Sequence, residues 1–151
     1  MKQSNRTYAI NEGNSFQSCD LNPGAIESVA GIGTDIVDIE RVQRGLTDQA
    51  GLEAQLFTDG ERRFCKSTAR PTGQLAALFA AKEAFLKAIG VGLRHGTHFR
   101  EIEIMVNAHG QPYFRLHGGI NELTMAQNIH TAQLSLAFDG KVAVAFVILG
   151  S

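Results

Sequence analysis

An aspartate inside an apolar run is the first residue that needs explaining. In GIGTDIVDIERVQ, residues 31–43, Asp35 interrupts a stretch that otherwise reads as a strand. Strands are depleted in Asp, because its short polar side chain competes with the ladder and loses hydration on burial. Such a carboxylate needs water, a partner or an ion. It can also sit at the strand's exposed end and help cap the next helix. Glu83, in FAAKEAFLKAIG at 79–90, raises the same question. It shares a helical stripe with Phe79, Ala80 and Lys87, and the simplest reading is an exposed Glu-to-Lys pair at i, i+4, worth about 0.2–0.5 kcal/mol. Lys82 reads as a solvated lysine. The glycines of GIGTD do not complete G-x-G-x-x-G, so they argue little for a dinucleotide.

The elements that must position these groups follow from periodicity. Residues 29–37 read as a strand, with Ile32, Thr34 and Ile36 on one face and Gly33, Asp35 and Val37 on the other. Asp38 suits a helix N-cap, with IERVQRG a short helix closed by Gly45. Residues 47–57 look helical, and Thr58-Asp59 starts another short helix. The strongest helix runs from Pro71 to Ile89, with Pro in the first turn and Gly90 at the stop. Strands at 101–106 and 113–117 flank the turn NAHGQP, and residues 119–127 read as a helix. An Asp-Gly turn between LSLAF and KVAVAFVIL signals a hairpin. The sum is an α+β fold: a single domain over 29–151, one antiparallel sheet packed against helices. Residues 1–28, rich in Asn, Ser, Gln and Gly, read as a loosely attached arm.

Composition narrows the function classes. The chain has 151 residues, enough for one domain with a substantial core. Its formal charge is −1, which gives no general attraction to nucleic acid. Two cysteines, Cys19 and Cys65, make no disulfide framework, so a reduced, cytoplasmic setting is the expectation. No run approaches the roughly 20 apolar residues of a membrane span, and the N-terminus lacks the apolar stretch of a signal peptide. His95 and His98 form H-x-x-H, but no third ligand follows at zinc spacing.

Together, GIGTDIVDIERVQ and FAAKEAFLKAIGVGL, followed by REIEIMVNAHGQPYFRLHG and LSLAFDGKVAVAFVI, resemble the holo-acyl-carrier-protein synthases. These are small bacterial 4′-phosphopantetheinyl transferases. The resemblance covers about residues 30–149. It implies transfer of the phosphopantetheine arm of coenzyme A to a serine of an apo acyl carrier protein, with 3′,5′-ADP as the other product. It also implies Mg²⁺ and a homotrimer with active sites between subunits. By motif, Asp35 and Glu83 would be the metal ligands, Lys87 would face the pyrophosphate, and Glu83 is the candidate base. Mg²⁺ favours oxygen ligands, commonly one or two carboxylates completed by phosphate and water. Lys82 is a further candidate for cofactor binding.

Acyl carrier proteins are acidic, so a local basic face is expected. Arg41 matches a family position that binds the carrier's acidic helix, and Arg44 follows it. Arg62, Arg63, Lys66 and Arg70 form a second basic cluster. Two positions depart from the family. Leu78 stands where an arginine is usual, and Gln133 stands where the C-terminal strand often has histidine. Gln133 can still hydrogen-bond the cofactor, and Arg94 in GVGLRHG is the candidate to supply the missing charge. These departures leave open a non-catalytic relative that binds carriers or coenzyme A, or a transferase dedicated to polyketide or peptide-synthase carriers.

Overall fold

Apolar alternation along residues 29–38 produces the first long strand, the one that carries Asp35. The computed structural model describes residues 18–21, 23–91 and 99–151. In chain order these contain β1 (Cys19–Asp20), β2 (Val29–Asp38), α1 (Ile39–Asp48), α2 (Leu52–Leu56), α3 (Asp59–Lys66) and α4 (Pro71–Ala88). A 3₁₀ turn (Phe99–Glu101), β3 (Ile102–Val106), β4 (Pro112–Leu116), α5 (Gly118–Ala126), β5 (Thr131–Asp139) and β6 (Val142–Gly150) follow. The fold is α+β, as expected. The strands, however, form two three-stranded antiparallel sheets rather than one, in the orders β1-β4-β3 and β2-β6-β5. Strands β4 and β5 approach each other but share no ladder.

Local signals explain most boundaries. Asp38 caps α1 by accepting a hydrogen bond from the Arg41 amide at 2.8 Å. The helix does not stop at Gly45, which adopts no left-handed conformation. It runs to Asp48, and the break falls at Gly51, whose φ is 83°. A Thr58–Glu61 capping box starts α3. The Asp-Gly signal yields a two-residue loop, with Gly140 at φ 54° between the paired residues Asp139 and Val142.

Of the expected arm, residues 1–17 and 22 lie outside the described residues, while Cys19, Asp20 and Leu21 pack onto the domain. Strand β1 pairs with β4, Leu21 is buried in the core, and its amide donates to the Phe114 carbonyl at 2.9 Å. Asp20 holds Arg115 through two bonds of 2.6 and 3.0 Å.

Helix α4 is buried along most of its circumference, from Ala76 through Leu86 with only Phe79 partly exposed. A helix apolar all round belongs in an interior, and α4 packs against β2, β6 and β5. The contact with β2 is unusually close. A Cβ on Gly33 would lie 1.8 Å from the Ala84 carbonyl oxygen, and one on Gly31 would lie 2.0 Å from that of Ala88. Glycine on the strand facing alanine on the helix thus lets two backbones touch. Gly33→Ala should destabilise the fold by roughly 2 kcal/mol or more, because backbone must move to admit the methyl. Urea denaturation measures this. A cost below about 0.5 kcal/mol would show that β2 and α4 can separate freely.

Candidate active site

The pleat of β2 decides what its residues face. Gly33 and Val37 are buried against the helix side, and Asp35 lies between them on the same face. Ile32 and Ile36 point the other way and are 69% and 67% exposed. Asp35 therefore faces α4 from mid-strand, paired in register with Ala145, and does not cap the next helix; Asp38 does that.

Asp35 finds its partner on α4. The Lys87 ammonium donates to its Oδ1 at 2.6 Å and to the Thr34 carbonyl at 3.1 Å. The carboxylate side chain is 15% exposed and that of the lysine 52%. One turn earlier on the helix, Glu83 is buried. Lys87 thus bridges helix to strand, and the simple i, i+4 surface pair is replaced by a three-residue cluster. Burial, and next the negative charge of Asp35, push the Glu83 carboxyl above its ordinary value; Lys87 pulls the other way. Two mutually repelling carboxylates beside one ammonium form a pair that a cation would relieve. Both offer hard oxygen donors, so the residues fit a magnesium-type ion completed by phosphate and water. Among the described residues no cluster of three or more His, Cys, Asp or Glu side chains could hold a metal by itself.

The remaining candidates divide. Lys82 is neither solvated nor placed for a cofactor. It is fully buried, and its ammonium donates to Glu61 Oε2, the Leu56 carbonyl and the Phe99 carbonyl, each at 2.8 Å. Three donors are matched by three acceptors, which leaves none for a phosphate. Its desolvation favours the neutral amine, a tendency that Glu61 opposes. Gln133 is also committed elsewhere: its amide nitrogen donates to the carbonyls of Pro23 and Gly24 at 2.8 and 2.7 Å, tying the N-terminal segment to β5. Arg94, with His95 and His98, lies outside the described residues. Arg41 and Arg44 are exposed three residues apart on α1. On α3, Arg62 is held by Asp59 at 2.6 Å, while Arg63 and Lys66 are exposed. Leu78 lines an apolar cleft of about 320 Å³ with Phe64, Ile104, Pro112, Leu134 and Ser135, away from the carboxylates. Glu61 was not singled out from sequence, although Thr58-x-x-Glu61 marks it as a capping residue.

Most of the chain, including the strand and helix that carry Asp35, Glu83 and Lys87, is similar to known proteins. Residues 31–147 match the family model of the 4′-phosphopantetheinyl transferase superfamily. The chain belongs to that superfamily. A holo-[acyl-carrier-protein] synthase of Geobacter metallireducens is 41% identical over 122 residues, which is 80% of this chain and 97% of the relative. The crystal structure of the synthase from Neisseria meningitidis superposes with a TM-score of 0.74 at 33% identity, covering 82% of this chain and 99% of that one. The Helicobacter pylori synthase, solved in complex with coenzyme A, gives a TM-score of 0.68 at 28% identity, covering 79% and 99%. The matched region of this transferase starts at Gly31, so the close-packed strand and the acidic cluster both lie within it.

The raised affinity of Glu83 for a proton has a consequence for stability. Because the folded state binds that proton more readily than the unfolded chain, the charge of Glu83 opposes folding above its raised value. This burden disappears as pH falls and the carboxyl protonates. Glu83→Gln should therefore stabilise the metal-free protein at neutral pH, and the gain should shrink toward about pH 4. Chemical denaturation of both proteins at the two pH values checks this. A gain that is absent at neutral pH, or larger in acid, would contradict the assignment.

Proposed function

We propose that this protein is a holo-acyl-carrier-protein synthase that transfers 4′-phosphopantetheine from coenzyme A to a serine of an apo acyl carrier protein. The observation that carries this reading is the Asp35–Lys87 contact beside buried Glu83, in a chain of this superfamily. In the reaction the serine hydroxyl oxygen attacks the β-phosphorus of coenzyme A. The bond from that phosphorus to the bridging oxygen breaks, and 3′,5′-ADP leaves with the electron pair. Glu83, a carboxylate beside Asp35 and Lys87, accepts the serine proton. Asp35 and Glu83 would hold Mg²⁺, which when bound supplies charge neutralisation at the diphosphate. Lys87, exposed and on the same cluster, places a further positive charge toward the departing ADP.

The carrier docks on α1. Arg41 and Arg44 are exposed there and lie one turn apart, next to the strand that carries Asp35. Steering of an acidic carrier by these guanidiniums accelerates encounter and fades with salt. Assembly as a homotrimer is supported by the outer face of β2 and β6. Ile32, Ile36, Phe146 and Ile148 are all exposed there on adjacent strands, an apolar patch that invites cover.

Mass spectrometry tests the chemistry. Incubation with Mg²⁺, coenzyme A and an apo carrier should add the phosphopantetheine mass to the carrier. Asp35→Ala should lower the rate at least about a thousandfold, in the range of lost electrostatic stabilisation, while the fold persists. Arg41→Ala/Arg44→Ala should instead raise the carrier KM and flatten its salt dependence. No mass increase with the parent protein would overturn the reading.

Light scattering tests the assembly. The parent protein should run at three times its monomer mass, and Ile36→Glu should release monomers. A monomeric parent would remove the trimer.

A further inference from the structure

A second polar cluster lies within the core, about 100° around α4 from the acidic site. Lys82 and Glu61 have fully buried side chains that meet at 2.8 Å. Lys82 also reaches the last residue of α2, through the Leu56 carbonyl, and the first residue of the 3₁₀ turn, through the Phe99 carbonyl. Glu61 Oε2 accepts from the Thr58 amide, and its Oε1 accepts from the Ile104 amide of β3 at 2.9 Å. Five segments are thereby tied at one point: the end of α2, α3, α4, the 3₁₀ turn and β3. Every polar hydrogen of the ammonium is used.

Such a pair is a poor device for stability alone, since desolvating two charges costs about as much as their attraction returns. Its use lies in directionality. Helix α4 carries alanines and other apolar side chains on nearly every face, so burial alone sets the rotation about its axis only loosely, with Phe79 against Phe99 and Phe85 against Phe114 as its ring contacts. Glu83 directly follows Lys82, about 100° further around the helix. A rotation of α4 that left its alanines equally buried would swing Glu83 away from Asp35. The Gly31–Ala88 and Gly33–Ala84 contacts hold the distance to β2. The ion pair is a directional contact on the side toward β3.

We propose that Lys82 and Glu61 are positioning residues: their buried ion pair fixes the rotation of α4 and thereby aims Glu83 at Asp35. This rests on the reading of Asp35 and Glu83 as a divalent-cation site. The test is the double variant Lys82→Met/Glu61→Gln, which removes both charges at once and leaves neither stranded. Mn²⁺ affinity is measured by isothermal titration in the presence of coenzyme A, and kcat and KM by the transfer assay. The double variant should unfold within a few degrees of the parent. It should bind Mn²⁺ at least tenfold more weakly and lose at least tenfold in kcat, with the carrier KM unchanged. If it does not fold, Glu61→Gln is measured in the same way. That variant keeps the two carbonyl bonds of Lys82, and about a threefold loss in Mn²⁺ affinity is expected. Parent-like Mn²⁺ affinity and kcat in a folded variant would overturn the positioning role alone, provided that Asp35→Ala abolishes Mn²⁺ binding. A parent protein that binds no Mn²⁺ would overturn the cation site and the positioning role together.

Discussion

The contact on which the rest depends is made by atoms the side chains leave out. Gly31 and Gly33 present bare backbone to the carbonyls of Ala88 and Ala84, and a methyl at either glycine would sit within about 2.0 Å of an oxygen. Strand β2 and helix α4 therefore lie closer than side chains of ordinary size would permit. Asp has a short side chain and Glu a modest one. At this separation Asp35, from mid-strand, meets Lys87 and acts electrostatically on Glu83.

That closeness carries an electrostatic burden, and the structure manages it on two adjacent faces of α4. On one face, two carboxylates share a partly buried corner with a single ammonium. The arrangement is unfavourable to itself and favourable to a cation, which is the condition expected of a site that works by holding charge. On an adjacent face, the side chains of Lys82 and Glu61 are fully buried, yet each is matched by partners. Buried charges are tolerated on that condition. Adjacent residues of one helix, Lys82 and Glu83, thus do opposite things: one closes a network, and the other leaves a site open to a ligand.

Much of this was legible from residue type and spacing. The two-residue period along 29–37 placed Asp35 with Gly33 and Val37, and the structure puts all three on the face toward α4. Pro71 and Gly90 bounded the long helix, and Asp-Gly marked the hairpin. What escaped was set by tertiary contacts. Lys82 carries no local sign of burial, because its three acceptors come from residues 17 to 26 positions away. Gln133 looked available to a cofactor, but its partners lie more than a hundred residues earlier, in a segment that composition marked as loose. Gly45 seemed the natural helix stop. Nothing local distinguishes it from Gly51, which takes the left-handed conformation instead.

The central claim is that Asp35 and Glu83 together hold one divalent cation against the diphosphate of coenzyme A. Anomalous diffraction from crystals containing Mn²⁺ and coenzyme A tests it most directly. The account predicts one strong peak bonded to carboxylate oxygens of both residues at about 2.1 Å and to diphosphate oxygens. A peak that contacts only one of the two carboxylates, or neither, would contradict it.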